Sequence, residues 1–276
     1  MSSSPPTTTG IHVAAVQSRS TADIAKNLAV AMRDVEAAID AGATLVMLPE
    51  NFGLLAERRA LLDAAQSLEE HNFLAPFITL ARARHVYVLA GSIPERGPDP
   101  QHIYNTSVLI GPQGTFQAVY RKIHLFDATL AAKKALVESS HVAAGSTLVT
   151  SAVGGFTLGL SICYDLRFPE LYRGLVDRGA HIIAIPSAFT LHTGKDHWEP
   201  LIRARAIESQ CYVVAPAQWG DHENGRFSWG KSMIVDPWGT TLAVAPEAEG
   251  FVSARIDMDY LDRVRASIPS LRHRVL

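Results

Sequence analysis

Apolar and polar positions along the chain follow two periods. Val13–Gln17 is a short apolar run of strand length. Between Asn27 and Ala41 the apolar positions Leu28, Val35 and Ile39, with Ile24 in step one turn earlier, fall on one face of a helix that Gly42 ends. Thr44–Leu48 is apolar enough to read as a buried strand, and it runs straight into Pro49 and Glu50. Phe73–Arg84 predicts a helix and Val86–Gly91 a strand, while Tyr104–Ile110 and Thr115–Arg121 flank Gly-Pro-Gln-Gly, a hairpin signal. Residues 127–146 carry no clear period and read as a loop over something. Phe156–Ile162 is the next strand, and Pro169 opens a helix at its first position, closed by Gly179. Ile182–Ile185 follows as a strand, then a helix from about Asp196 to Ser209. Strands recur at Cys211–Ala217, Ser232–Val235 and Phe251–Ile256, and a last helix starts near Asp257. Strands alternating with helices place the chain in the α/β class, as a mixed sheet covered by helices; the hairpins exclude a purely parallel one. With no internal repeat or long linker, residues 11–276 read as one domain behind a Ser/Thr/Pro-rich, disordered tail at 1–10.

Composition narrows the class. The chain has 276 residues, of which 47% are hydrophobic and 19% charged, enough to bury a substantial core. Net charge is −2 without a basic run, which argues against a nucleic-acid partner. No apolar run reaches the roughly 18 residues that span a bilayer, so no membrane partner is expected. Cys163 and Cys211 both sit in or beside strand-like runs and read as free thiols, which fits a cytoplasmic protein. The histidines, among them His181, His192, His197 and His222, show no tight ligand spacing, so neither a metal nor any other cofactor is expected.

Three segments put a chemically able residue where a buried strand ends: Glu50, Lys122 and Cys163. Strand carboxyl ends are where α/β proteins gather their sites, because the loops there converge on one crevice. A cysteine ahead of the helix opening at Pro169 would also feel that helix's positive end, which favours a thiolate. Each residue has a bland reading too. A cysteine in an apolar strand is usually structural, a glutamate after a strand is commonly a solvated turn residue, and a lysine closing a hairpin usually faces solvent.

The surrounding segments add a resemblance. Leu48-Pro49-Glu50-Asn51-Phe52, Tyr120-Arg121-Lys122-Ile123-His124-Leu125-Phe126-Asp127, and Ser161-Ile162-Cys163-Tyr164-Asp165-Leu166-Arg167-Phe168-Pro169-Glu170-Leu171-Tyr172-Arg173 resemble, in order, the three signature blocks of the nitrilase superfamily of carbon–nitrogen hydrolases. The likeness extends from about Ile11 to the C-terminus and takes in Pro186–Thr190, His197-Trp198, Arg203–Ala206 and Asp236–Gly239. It implies an αββα sandwich that forms a homodimer or higher homo-oligomer through its helical layer. It also implies a catalytic triad of Glu50, Lys122 and Cys163, with Glu138 matching a second family glutamate that holds the lysine.

The chemistry accounts for these residue types. A thiolate attacks a poor electrophile and splits amide hydrolysis into thioester formation and thioester hydrolysis. Glu50 would move the protons, while Lys122 and the backbone N–H of Tyr164 would stabilise the oxyanion. The segment from His197 to Ala215 is most similar to the deaminated-glutathione amidase branch, with the ω-amidase branch next, so the expected partner is a small-molecule amide. A carbamoyl-amine hydrolase, a nitrilase and an inactive scaffold on the same fold are the alternatives. Arg167 and Arg173, downstream of the nucleophile, are candidate anchors for a substrate carboxylate, and Thr190 is a further pocket candidate by resemblance. One departure stands out: where related amidases carry a Pro-Gly-containing loop, this chain reads Ala-Thr-Leu-Ala-Ala-Lys-Lys-Ala-Leu from Ala128, which bears on the lid of the pocket.

Overall fold

A computed structural model describes residues 10–128, 136–223 and 225–275. The first sheet is laid down in order. Gly10–Ser18 (β1), Leu45–Met47 (β2) and Tyr87–Arg96 (β3) run parallel, joined through the helices Ile24–Asp40 (α1), Arg58–Ala64 (α2) and Ala75–Arg84 (α3). Ile103–Ile110 (β4) and Phe116–Arg121 (β5) extend the sheet antiparallel. A two-residue ladder, Asp127–Ala128 (β6) with Leu136–Val137 (β7), then leads into a single 3-10 turn over Glu138–Ser140.

The second sheet begins with Thr150–Val153 (β8), antiparallel to Phe156–Leu160 (β9). Ile182–Ala184 (β10) and Tyr212–Ala215 (β11) follow parallel to β9, reached by the crossover helices Pro169–Asp177 (α4) and Leu191–Ser209 (α5). The chain then weaves between the sheets. Ala217–Asp221 (β12) returns to the end of β1 and pairs with Phe227–Trp229 (β13). Met233–Val235 (β14) and Thr241–Val244 (β15) complete the second sheet. Gly250–Asp257 (β16) lies antiparallel along β1, before the helix Met258–Ser267 (α6).

The period-2 alternation of β1 shows how the layers form. Val13 and Ala15 join a cluster between the sheets with Met47, Leu89, Leu109, Tyr120, Leu158 and Leu160. Ala14 and Val16 point the other way, against Ala31, Val35 and Ala38 of α1 and Phe77 of α3. Leu171 and Leu175 of α4, with Trp198 and Ile202 of α5, cover the far side of the second sheet. The result is the expected αββα sandwich. Among the described residues no helix is long and apolar enough to cross a membrane.

Several boundaries differ from the sequence reading. The single strand expected over Cys211–Ala217 is two, belonging to different sheets, divided at Pro216, which has no N–H to give to a ladder. The helix expected from Asp196 begins at Leu191, because Thr190 caps it: its Oγ1 accepts from Thr193 N–H at 3.3 Å. Leu191–Lys195 hold too few apolar residues to show a period. The strand expected to reach Ile162 ends at Leu160. Of the expected loop at 127–146, the described part carries the short ladder and the turn that presents Glu138. Most of the departing segment after Ala128 lies outside the described residues.

Candidate active site

Glu50 follows β2 on a tight turn. Asn51 has a φ of +57° and gives its N–H to Ser92 Oγ at 2.9 Å. Gly91 lets the neighbouring strand approach this turn: a Cβ there would fall 2.0 Å from the Leu48 carbonyl oxygen. The Glu50 carbonyl accepts from Gln218 Nε2 at 3.0 Å. Its carboxylate is held on both oxygens, Oε2 by the Ala188 N–H at 2.9 Å and Oε1 by Asn105 Nδ2 at 2.9 Å.

Lys122 leaves the end of β5 with its backbone N–H on the Asn105 backbone carbonyl at 2.9 Å. Its ammonium donates to Glu50 Oε1 at 2.9 Å and to both oxygens of Glu138, at 3.0 and 2.9 Å. Glu138 Oε2 also accepts from the Phe126 N–H at 2.6 Å. Lys122 and Glu50 are 2% and 3% exposed, so this is a buried ion cluster rather than a surface bridge.

Cys163 comes from the second sheet. It opens the 3-10 turn Cys163–Arg167, and its N–H is bonded to the Pro186 carbonyl at 2.9 Å. Its φ of +48° is a left-handed conformation costly for a side chain with a Cβ. Strain of that kind, about 1–3 kcal/mol, collects at functional sites.

The electrostatics of the group are consistent. Burial works against the Lys122 charge, but Glu138 and Glu50 hold its ammonium pKa well above the ordinary value. Burial and the Glu50 carboxylate push the Cys163 thiol well up, and Lys122 only partly offsets them. This departs from the thiolate expected at a helix N-terminus. The helix at Pro169 starts beyond an intervening 3-10 turn, and its end effect fades within a turn, whereas Glu50 acts directly. The resting cluster is therefore two carboxylates, one ammonium and a neutral thiol beside a proton acceptor. Such an arrangement can form a nucleophile, shuttle a proton and stabilise an oxyanion in one small volume.

Two residues not singled out in the sequence hold the parts together. Asn105 Nδ2 reaches Glu50 Oε1 at 2.9 Å and Glu138 Oε1 at 3.3 Å. Asp165, fully buried, ties the turn after Cys163 to the segment around Lys122. One oxygen accepts from Tyr120 Oη at 2.7 Å and from Ile162 N–H at 2.8 Å, and the other from His124 N–H at 3.0 Å. The signal for Asn105 was a polar residue on an inward-facing strand position. For Asp165 it was a carboxylate inside the block that carries Cys163.

The outer candidates separate. Arg167, at the end of the turn that Cys163 opens, lies over the rings of Phe189 and Tyr164, at 5.2 and 5.8 Å, and donates to His197 Nδ1 at 3.3 Å. Phe126 packs edge-on against Tyr164 beside it. Arg173 is exposed on α4 and makes no described bond to the cluster. Thr190 spends its hydroxyl on the cap of α5 and on Thr193 Oγ1 at 2.9 Å.

Comparison with known proteins gives the family. The carbon–nitrogen hydrolase family model matches residues 12–266. A deaminated glutathione amidase of a Synechocystis species is 44% identical over 267 residues, covering 95% of this chain and 97% of that protein. The crystal structure of the Caenorhabditis elegans NitFhit protein superposes with a TM-score of 0.91 at 39% identity, over 97% of this chain and 66% of that longer one. Saccharomyces cerevisiae Nit3, a member of branch 10 of the nitrilase superfamily, gives a TM-score of 0.85 at 31% identity, over 97% of each chain. The chain belongs to the carbon–nitrogen hydrolase family, within the nitrilase superfamily that its three signature segments resemble.

Proposed function

We propose that this carbon–nitrogen hydrolase, an amidase, cleaves a small amide bearing a carboxylate through a thioester on Cys163. The observation that carries the reading is the meeting of Glu50, Lys122, Glu138 and the strained Cys163 in one buried cluster drawn from both sheets. As substrate seats, Glu50 takes the thiol proton and the sulfur attacks the carbonyl carbon. Lys122 and the Tyr164 N–H stabilise the oxyanion. Glu50 returns the proton to the departing amine or ammonia. It then draws a proton from water, which attacks the thioester and releases the acid. Glu138 keeps the ammonium in place through both halves.

The substrate class rests on the mouth of the site. Arg167 sits among aromatic rings, and among the described residues no carboxylate pairs with it. A substrate carboxylate supplies the missing partner and fixes its distance from the scissile amide. The name of the Synechocystis relative supports deaminated glutathione as that substrate; another 2-oxo acid ω-amide would offer the same carboxylate. The test is a panel of deaminated glutathione, 2-oxoglutaramate, neutral amides of similar length, carbamoyl amines and nitriles, assayed on wild type and Arg167→Ala. Wild type should prefer the acidic amides, and the variant should lose chiefly that preference. Equal rates on acidic and neutral amides, or an equal loss on both, would remove the anchor. Faster turnover of carbamoyl amines or nitriles would remove the amide assignment.

A further inference from the structure

We propose that Asn105 is a positioning residue of this site, whose carboxamide sets Glu50 and Glu138 around the single lysine without adding charge; this rests on the reading of Glu50 as the proton shuttle. β4 turns Asn105 inward on the same face as Leu109, which belongs to the apolar cluster between the sheets. A carboxamide on such a face is costly unless its bonds are made. Its Nδ2 contacts one oxygen of each glutamate, at 2.9 and 3.3 Å, and those are the oxygens that Lys122 also contacts. The backbone carbonyl of Asn105 accepts the backbone N–H of Lys122 at 2.9 Å. Asn105 therefore touches both carboxylates and holds the lysine through its backbone.

The orientation of the amide is dictated by chemistry. Ionised carboxylates only accept, so the NH2 end must face them. The other end bears the consequence: Asn105 Oδ1 is buried without a partner among the described residues. An orphaned acceptor lowers stability, so packing alone does not account for the residue. Charge explains why a neutral donor suits the place. The cluster already holds two carboxylates and one ammonium. A third carboxylate would deepen the negative excess against which Cys163 must ionise, and a second cation would suppress the basicity needed of Glu50. With Ala188 N–H on Oε2 and Asn105 on Oε1, the Glu50 plane is fixed from two sides.

The test uses the full chain and its preferred amide. Asn105→Ala should lower kcat by about 10–100-fold, the worth of one hydrogen bond to a charged group, with KM changed less than threefold. Because a donor favours the ionised carboxylate, its loss should move the acidic limb of the kcat/KM profile to higher pH. A merely structural residue would not move that limb. Asn105→Asp keeps the shape and adds an acid. It should lose at least as much kcat and slow iodoacetamide alkylation of Cys163 at fixed pH, a readout independent of amide turnover and usable even if the alanine variant folds poorly. A kcat within twofold of wild type, or a reduced kcat with both the pH profile and the alkylation rate unmoved, overturns the proposal. Cys163→Ala is run beside them. If it still turns over, the underlying mechanism falls and takes this inference with it; if it is dead while the Asn105 variants match wild type, only this inference falls.

Discussion

Cys163 and Cys211 are both buried thiols, and their surroundings separate them. Cys211 donates to the carbonyls of Ala180 and Ser209, both at 3.2 Å, and burial pushes its thiol up to about 11. Among the described residues no carboxylate stands beside it to receive a proton. Cys163 has Glu50 in that place. Cys163→Ala should therefore abolish turnover and covalent trapping by an electrophile, while Cys211→Ala should keep the rate within about twofold; intact mass after labelling reads both. The electrostatics make a less obvious prediction. Because burial and Glu50 hold the Cys163 pKa up, its thiolate fraction at neutral pH is small and alkylation should rise with pH beyond the range of an ordinary thiol. Glu50→Gln removes the negative neighbour, which lowers that pKa, so alkylation at neutral pH should speed up even as amide turnover falls by the roughly 10²–10⁴-fold typical of a lost general base. Alkylation that slows in Glu50→Gln would show that the carboxylate does not raise the thiol.

At the scale of elements, most helices were legible from one apolar face at a fixed period, and most strands from short apolar runs that the sheets bury on both faces. The failures have local causes. Pro216 divides a continuous apolar run between two sheets, which no periodicity reveals, since both halves are buried. The first turn of α5 was hidden because its stability comes from a cap, not an apolar stripe. Thr190 is consequently a test of two roles. As a cap, Thr190→Ala should cost about 1 kcal/mol, a fall in Tm of about 2–4 °C for a chain of this size, with KM for the acidic amide unchanged. A KM raised severalfold at unchanged Tm would return Thr190 to the pocket. Glu50, Lys122 and Cys163 were readable because each ends a strand inside a distinctive segment. Asn105 and Asp165 were not, because their importance lies in what faces them across the fold: Asn105 meets partners on β5 and on the turns after β2 and β7, and Asp165 meets Tyr120 and His124.

The whole molecule sets the site between its two sheets. Glu50 and Lys122 follow strands of the first sheet, and Cys163 and Ala188 follow strands of the second. The shared apolar cluster holds the sheets face to face, and Asp165 bonds across them to Tyr120 and His124. Since β12 returns to the first sheet before β14 and β15 complete the second, and β16 returns to it again afterwards, neither sheet is complete without the other half of the chain. Activity and global structure should therefore be lost together: in urea, residual amidase activity, tryptophan fluorescence and far-UV circular dichroism should share one midpoint. Tyr120→Phe, which removes a bond to a buried carboxylate worth about 1.5–3 kcal/mol, should shift all three midpoints down together. Activity that disappears at lower urea than the circular dichroism, in wild type or in Tyr120→Phe, would mean that the sheets can separate locally and that the site is less stable than the sandwich around it.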